Sequence, residues 1–313
     1  MIGSGPTTNK MIDAVLVIDK PSGITSHDVV ARVRRILGER SVGHLGTLDP
    51  LATGVLPLLI GRYTRLAQFF GNTTKSYEGV IRLGFATDTY DSDGEPVGPI
   101  STEVKATLED IQRTARRFLG DIRQTPPHFS AKKIAGVPAY KLARKKQDVE
   151  LTDVAVHVES FEISRLEADR AFFSAKVSAG TYVRSLAHDL GQILGVGAHV
   201  AQLRRTASGE FTLAQAVGLD RLQEMKEEAV SNRVHMEDWI AQISVHPREI
   251  LRQLPSITVN NQTAGLIANG RAVNLADLST AHQVKVFASE KRLLAIASRI
   301  AGTLFQPKVV LGL

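Results

Sequence analysis

The chain has 313 residues, 43% of them hydrophobic, no cysteine and a formal net charge of +6 at pH 7. That length can bury a full core and is expected to divide into two domains, while the missing thiols exclude disulfides, thiolate catalysis and Cys-ligated zinc. No apolar run approaches the ~20 residues of a membrane span and no basic-then-apolar leader opens the chain, so a soluble cytoplasmic protein is expected.

Residues 1–10 are small and polar and read as a loose leader. Residues 14–19 read as a short buried strand, followed by a turn at Lys20-Pro21-Ser22-Gly23. Ser26 is expected to cap a helix whose apolar stripe is Val29, Val30, Val33, Ile36 and Leu37, with Gly38 ending it. Residues 56–60 read as a strand and 61–65 as a turn. Residues 75–85 alternate like another strand, with Tyr77, Gly79, Ile81 and Leu83 on one parity. The acidic stretch 87–95 has the wrong residues at both ends for a calcium loop and reads as a turn. Thr107 is expected to cap a further helix, and residues 171–178 alternate as a half-buried strand. Gly180-Thr181-Tyr182 then leads into a helix with Val183, Leu186, Leu190, Ile193 and Leu194 on one face. Arg184 falls in its first turn, where the helix dipole disfavours a cation unless a buried carboxylate compensates. Residues 218–250 look helical and charged. From Leu254 onward, short β-like runs separated by turns read as a small β-rich unit.

The chain turns on residues 43–56, Gly43-His44-Leu45-Gly46-Thr47-Leu48-Asp49-Pro50-Leu51-Ala52-Thr53-Gly54-Val55-Leu56. Three glycines and a proline mark tight backbone open to close approach by a ligand. Asp49 is the one acid between Glu39 and Glu78. An ionisable group isolated in an apolar loop is costly unless something uses or pairs it, although a solvated Asp-Pro turn satisfies the same composition. The glycine spacing matches neither a nucleotide-triphosphate loop nor a dinucleotide loop.

Charge is unevenly placed. Residues 122–147 carry seven cations and no acid, namely Arg123, Lys132, Lys133, Lys141, Arg144, Lys145 and Lys146, with Phe129 and Tyr140 interleaved. Residues 251–313 carry seven Lys or Arg against two acids, so the remainder of the chain is net acidic. Two basic patches on an otherwise acidic protein fit a polyanionic partner, with cations for phosphates and aromatics for bases. No His, Asp or Glu cluster has metal-ligand spacing, so neither a metal nor another cofactor is expected.

The 43–56 string resembles the signature of the bacterial TruB-type tRNA pseudouridine-55 synthases. The likeness extends to Lys20-Pro21-Ser22-Gly23 with Ser26, to Tyr77 leading to Gly84 and Thr87-Asp88-Thr89, and to Gln124-Thr125-Pro126-Pro127 with Ser130-Ala131. It continues through Gly180-Thr181-Tyr182-Val183-Arg184, Gly197-Ala198-His199 and Leu203-Arg204-Arg205-Thr206. The resemblance implies an α+β fold: a pseudouridine-synthase catalytic domain with a mixed, largely antiparallel sheet flanked by helices, over residues 1–250. It implies a basic RNA-binding insertion at about 123–150, and a small PUA-like β-barrel over residues 251–313.

The implied activity is isomerisation of one T-loop uridine of tRNA, position 55, to pseudouridine on a flipped-out nucleotide, with no cofactor. Asp49 would be the essential carboxylate, attacking covalently or deprotonating the sugar. Arg184 would pair with it, Asp91 would join that network, and Tyr77 would stack on the target base and assist proton removal. His44 would fill the space the nucleotide vacates, and Tyr182 and Leu203 would line the uracil pocket. Arg65, Lys132, Lys133, Lys141, Arg144, Lys145 and Lys146 are the RNA-contact candidates. The partner would be the tRNA T-arm stem-loop, bound by a monomer away from membranes and without guide RNA or protein partner. Three residues depart from the family pattern: Phe129 where Tyr is usual, Ala179 where Lys is common, and Arg65 where Lys is often found. Two other readings stay open, an RNA-folding protein with incidental enzyme activity and a guide-dependent relative working in a ribonucleoprotein.

Overall fold

The computed structural model describes residues 12–101, 103–127, 133–134, 137–138, 152–276 and 279–312. In chain order, β1 (Ala14–Lys20) and α1 (Ser26–Leu37) precede β2 (Val42–His44), β3 (Thr53–Ile60) and β4 (Lys75–Leu83). The short β5 (Ala86–Thr87) and β6 (Pro96–Val97) pair with each other, and α2 (Leu108–Ala115) leads to β7 (Gly120–Gln124). A second small ribbon, β8 (Lys133–Ile134) and β9 (Val137–Pro138), precedes the long β10 (Val154–Glu167) and β11 (Arg170–Val177). Then come α3 (Val183–Leu194), β12 (Ala198–Ser208), β13 (Phe211–Thr212) and β14 (Ala216–Gly218). Two helices, α4 (Leu219–Ser231) and α5 (Met236–Ile243), end this part. The remainder is β15 (Ser256–Thr258), α6 (Asn261–Ala268), β16 (Val273–Asn274), β17 (Gln283–Ser289), β18 (Arg292–Ala301) and β19 (Leu304–Val310).

The main sheet runs β14-β1-β3-β12-β4-β11-β10-β7, with β2 added to β3 and β13 to β12. Pairing is antiparallel except for β1 with β14 and β3 with β12, so the sheet is mixed and largely antiparallel. Its two halves meet at β3 and β12 through two residue pairs only, Thr53 with Arg204 and Gly54 with Arg205. Gly54 permits that junction: its φ is +99°, and a Cβ there would lie 2.2 Å from the Arg205 carbonyl oxygen.

Helix α1 forms where the sequence asks for it, but its cap is Thr25 rather than Ser26. The Thr25 hydroxyl accepts from the Asp28 N–H while Asp28 returns a bond to the Thr25 N–H, a reciprocal box that leaves Ser26 free for another task. The expected stripe of Val29, Val30, Val33, Ile36 and Leu37 is buried with Leu16, Ile18, Leu56 and Leu58 in one core. The turn expected at 61–65 is instead the start of a 3-10 helix, Gly61–Phe69. The opposite parity of the same strands, Val15, Val17, Val55 and Leu59, lies in a second core with Phe287, Leu293, Ile296 and Val309 of the C-terminal sheet. That five-stranded sheet, ordered β15-β17-β18-β19-β16, is the expected β-rich unit, and it has its own small core around Ile267, Val284 and Phe305. No helix among the described residues is long and apolar enough to cross a membrane.

Candidate active site

Asp49 sits on the loop of the hairpin formed by β2 and β3, where His44 opposes Leu58 and the Leu45 N–H donates to the Pro57 carbonyl at 2.9 Å. One row of paired residues crosses the sheet beneath it: Lys20, Gly54, Arg205, Tyr77 and Ala175. Residues directly opposite in a sheet share a face. Two cations and a tyrosine therefore stand on rigid strands behind one glycine-rich loop.

The loop is tied on both sides. The Ser26 hydroxyl accepts from the Leu48 N–H at 2.8 Å and donates to the Leu48 carbonyl at 3.1 Å. Lys20, wholly buried, donates to the carbonyls of Pro21 (2.8 Å), Ile24 (2.7 Å) and Pro50 (3.2 Å). The Gly23 N–H also reaches the Pro50 carbonyl, and Ser22 Oγ the Leu51 carbonyl. From the far side Arg205, also wholly buried, donates to the carbonyls of Val55 (2.7 Å), Gly46 (3.0 Å) and Thr47 (3.5 Å). Asp49 is thus held through both of its sequence neighbours. Pre-set geometry of this kind is what a reacting carboxylate needs.

Arg184 projects from the first turn of α3 between two carboxylates. Its Nη2 donates to Asp49 Oδ1 at 3.1 Å, and its Nε stands edge-on 2.9 Å from Oδ2 as a close ion-pair contact. Its Nη1 donates to Asp91 Oδ2 at 3.0 Å and to the Thr89 carbonyl at 2.8 Å. Asp91 is in turn held by the Thr89 hydroxyl (2.6 Å) and the Asp93 N–H (3.1 Å). The side chains of Arg184 and Asp91 are each 5% exposed, whereas Asp49 is 36% exposed. The pair therefore forms the floor of an open site, with Asp49 the member that a ligand reaches. Buried Gln124 fixes the start of α3, accepting from the Tyr182 N–H at 2.8 Å and donating to its carbonyl at 3.0 Å.

Electrostatics follow from this enclosure. Burial pushes the Asp49 carboxyl above its ordinary value, Arg184 and Lys20 pull it down, and the like charges of Asp91 and Asp93 push it up. Burial lowers the Lys20 ammonium to about 8 against the opposing pull of Asp49. Tyr77, 7% exposed, has its phenol raised by burial, with the nearby Arg205 charge opposing. His44 is pushed down, first by burial and then by His27 and Arg205. Its ring meets His27 edge-on at 5.5 Å, and its Nδ1 has no hydrogen-bond partner among the described residues.

Arg184 is thus brought into direct contact with both Asp49 and Asp91, and Tyr77 stands within electrostatic reach of Asp49, whereas His44 is coupled to His27 and Arg205 instead. Leu203 lies on the neighbouring cleft of about 810 Å³, which reaches the loop through Leu51 and Thr53 but is lined by none of the three contacting residues. Tyr182 is half-buried at the N-terminus of α3. Arg65 is exposed and donates to the carbonyl of Val310, tying the 3-10 helix to the last strand. Lys132, Lys141, Arg144, Lys145 and Lys146, with Phe129, lie outside the described residues, as does the side chain of Lys133. The parts not singled out from sequence are Lys20, Arg205 and Gln124, although each falls inside a motif shared with the family. A fully buried cation cannot be told from a surface one by composition; for Lys20 the adjoining Pro21 was the available signal, and for Arg205 only its place in a shared motif.

Comparison with known proteins identifies the family. The family profile described as TruB family pseudouridylate synthase, N-terminal domain, matches residues 34–183, and that of the tRNA pseudouridylate synthase B C-terminal domain matches residues 184–246. The chain belongs to the TruB family of pseudouridylate synthases. A tRNA pseudouridine synthase B of Solibacter usitatus is 45% identical over 303 residues, covering 96% of this chain and all of the relative. One from Aquifex aeolicus is 38% identical over 302 residues, again 96% of this chain and all of the relative. Among solved structures, an archaeal box H/ACA sRNP Nop10–Cbf5 complex superposes with a TM-score of 0.68 at 26% identity, over 95% of this chain and 85% of the other. A Cbf5–Nop10–Gar1 complex gives 0.70 at 25% identity, over 95% and 84%. The fold is that of a pseudouridine synthase with a PUA-like C-terminal unit.

Proposed function

We propose that this TruB-family enzyme converts uridine 55 in the T-loop of tRNA to pseudouridine, with Asp49 as the essential carboxylate. The observation that carries the reading is the edge-on pairing of Arg184 with Asp49 on a loop locked by Ser26, Lys20 and Arg205. An opposite charge at contact favours the ionised carboxylate against the cost of burial. Ionised Asp49 serves either opening step, attack at ribose C1′ or removal of a sugar proton. The glycosidic N1–C1′ bond breaks and the uracil turns; C5 then joins C1′ as the Asp49–C1′ bond breaks or the sugar proton is returned, and the proton lost from C5 is matched by one gained at N1. The reaction is redox-neutral and consumes no water.

In this reading Tyr77 stacks on the uracil and takes part in removal of the C5 proton. Asp91 keeps Arg184 aimed, His44 fills the position left by the extruded nucleotide, and Tyr182 and Leu203 bound the base. Extruding a base from its stack costs a few kcal/mol, which binding of the stem-loop must offset. The enzyme acts as a cytoplasmic monomer without guide RNA or protein partner. Residues 1–250 carry the chemistry, the 123–150 insertion grips RNA, and residues 251–313 hold the tRNA body. Arg65, Lys132, Lys133, Lys141, Arg144, Lys145 and Lys146 are its phosphate contacts.

The deciding experiment uses purified protein and a pre-folded T-arm stem-loop carrying tritium at uracil C5. The wild type should release tritium with no additional protein or RNA. Asp49→Asn should release none while binding the stem-loop within a few-fold of the wild type. Turnover by the pure variant would remove Asp49 from the chemistry, and a wild type inactive on this RNA would overturn the substrate.

A further inference from the structure

Four cations line the back of this site, and three have their donors engaged. Lys20 faces three carbonyls, Arg205 three more, and Arg184 two carboxylates and a carbonyl. The fourth, Lys75, is different. It opens β4 two residues before Tyr77, so its side chain shares the face of Tyr77 about 6.8 Å along the strand. Its stem lies over the catalytic loop: a Cβ on Gly46 would stand 3.3 Å from Lys75 Cε and 3.7 Å from Arg205 Nη1. Gly46, with φ +95°, is what lets this side chain approach.

The Lys75 ammonium makes one hydrogen bond, to the Thr73 carbonyl at 3.1 Å, and no ion pair among the described residues. An ammonium has three N–H donors and no acceptor. Two donors of a half-buried cation are therefore left without a protein acceptor among the described residues. Burial, then the neighbouring Arg205 charge, lower the group to about 8, as befits a cation with no anion beside it. The cost of that partial desolvation is offset when an anion arrives.

We infer that Lys75 is a substrate-binding residue that takes a phosphodiester of the RNA backbone at the extruded nucleotide. This rests on the proposed function, since it takes the stem-loop as the ligand and Tyr77 as the stacking platform. A base over Tyr77 leaves its own backbone within reach of a side chain two residues away on the same face. The contact differs from the exposed lysines of the 123–150 insertion, because it fixes the reacting nucleotide rather than the stem. Lys75 touches none of Asp49, Arg184 or Asp91, so it contributes to binding and leaves the chemical step alone.

The test compares Lys75→Met, which keeps length and cover over Gly46, with Lys75→Arg, which keeps the charge. The probe is the same T-arm stem-loop, and wild-type turnover on it checks the underlying reading separately from Lys75. For Lys75→Met, Kd should rise about tenfold near 0.1 M salt. The slope of log K against log salt should flatten by ~0.7–0.9, as when a single phosphate is no longer neutralised. Lys75→Arg should recover both the affinity and the salt slope. Wild-type affinity and slope in Lys75→Met would overturn the proposal, as would a reduced turnover with unchanged Kd. A second measurement needs no variant: an amine-reactive label applied near pH 8 should modify Lys75 in free enzyme and be blocked by bound stem-loop. Labelling that RNA does not change would equally overturn it.

Discussion

Ser26 and Leu48 exchange two hydrogen bonds, the hydroxyl accepting from the Leu48 N–H at 2.8 Å and donating to the Leu48 carbonyl at 3.1 Å. Ser26 is completely buried, and Leu48 directly precedes Asp49. Ser26→Ala would strand a buried N–H and carbonyl, at a cost of about 1–3 kcal/mol. The expected outcome is a fall of that size in denaturant stability together with slower single-turnover chemistry and little change in RNA affinity. Loss of stability with an unchanged chemical rate would show that the Leu48 anchor does not position Asp49.

The environment of Asp49 makes two substitutions move its titration in opposite directions. A carboxyl whose pKa is raised holds its proton to higher pH, so activity that needs the ionised form is lost as pH falls through the raised value. Arg184→Gln removes a lowering influence, and the acid limb of kcat/KM should shift to higher pH. Asp91→Asn removes a like charge, and the limb should shift to lower pH. Arg184→Gln should also slow the chemistry by about 3 kcal/mol, the low end for breaking a buried pair because Asp49 is partly solvated. pH–rate profiles of single turnovers on the stem-loop check both directions. Profiles that coincide with the wild type would mean that some other group titrates.

Much of this arrangement was legible in the sequence, and the exceptions share a cause. The isolated acid in a glycine loop marked Asp49, and a cation in the first turn of a helix marked Arg184 as needing a buried acid; the structure provides two. The apolar stripe of α1 and the alternation of β4 were visible as periodicity. Strand β12 was not, although it occupies the middle of the sheet. Its pattern is broken by register shifts between Val200 and Gln202 and between Arg205 and Ala207, and it carries two adjacent arginines, Arg204 and Arg205. Arg205 is nevertheless fully buried, because loop carbonyls satisfy its donors, and only the tertiary fold brings them together. Likewise Ser26 looked like a helix cap because Thr25 beside it offers the same chemistry.

Gly54 offers a test of the joint between the two half-sheets. Overpacking costs about 1–3 kcal/mol, and a side chain at positive φ adds about 1–3 kcal/mol more. Gly54→Ala meets both, since its Cβ would press on the Arg205 backbone, which moves only with β12. The variant should unfold at distinctly lower denaturant, and the Arg205 bonds to Gly46 and Val55 should loosen with it. Far-UV circular dichroism through a urea titration measures the first effect, and single-turnover rates on surviving folded protein the second. A wild-type midpoint would show that β3 and β12 separate without penalty.

The C-terminal sheet calls for a finer experiment than deletion. Phe287, Ile296 and Val309 share one buried core with Val15, Val17, Leu59, Tyr63 and Leu66 of the main sheet and its 3-10 helix. Each such side chain is worth about 1.5–3 kcal/mol when fully buried. Lys285, itself buried, also donates to the carbonyls of Arg248 and Ile250 at 2.7 Å, across the proposed boundary. Removing residues 251–313 should therefore destabilise the catalytic sheet, so weakened RNA binding in that truncation would not by itself identify an RNA contact. Surface charge separates the two effects. Arg271, Lys291 and Lys308 are exposed and make no ion pair among the described residues. Replacing all three by Gln should leave the melting temperature within a degree or two, because isolated surface charges contribute little to stability. If they meet phosphates of the tRNA body, affinity should weaken and the salt slope flatten by ~0.7–0.9 for each phosphate no longer neutralised. Turnover at saturating tRNA should hold, since phosphate contacts position the substrate without entering the chemistry. The isolated T-arm stem-loop, which lacks the rest of the tRNA, should bind the triple variant as it binds the wild type. An unchanged salt slope on full-length tRNA would remove these three side chains from the RNA interface.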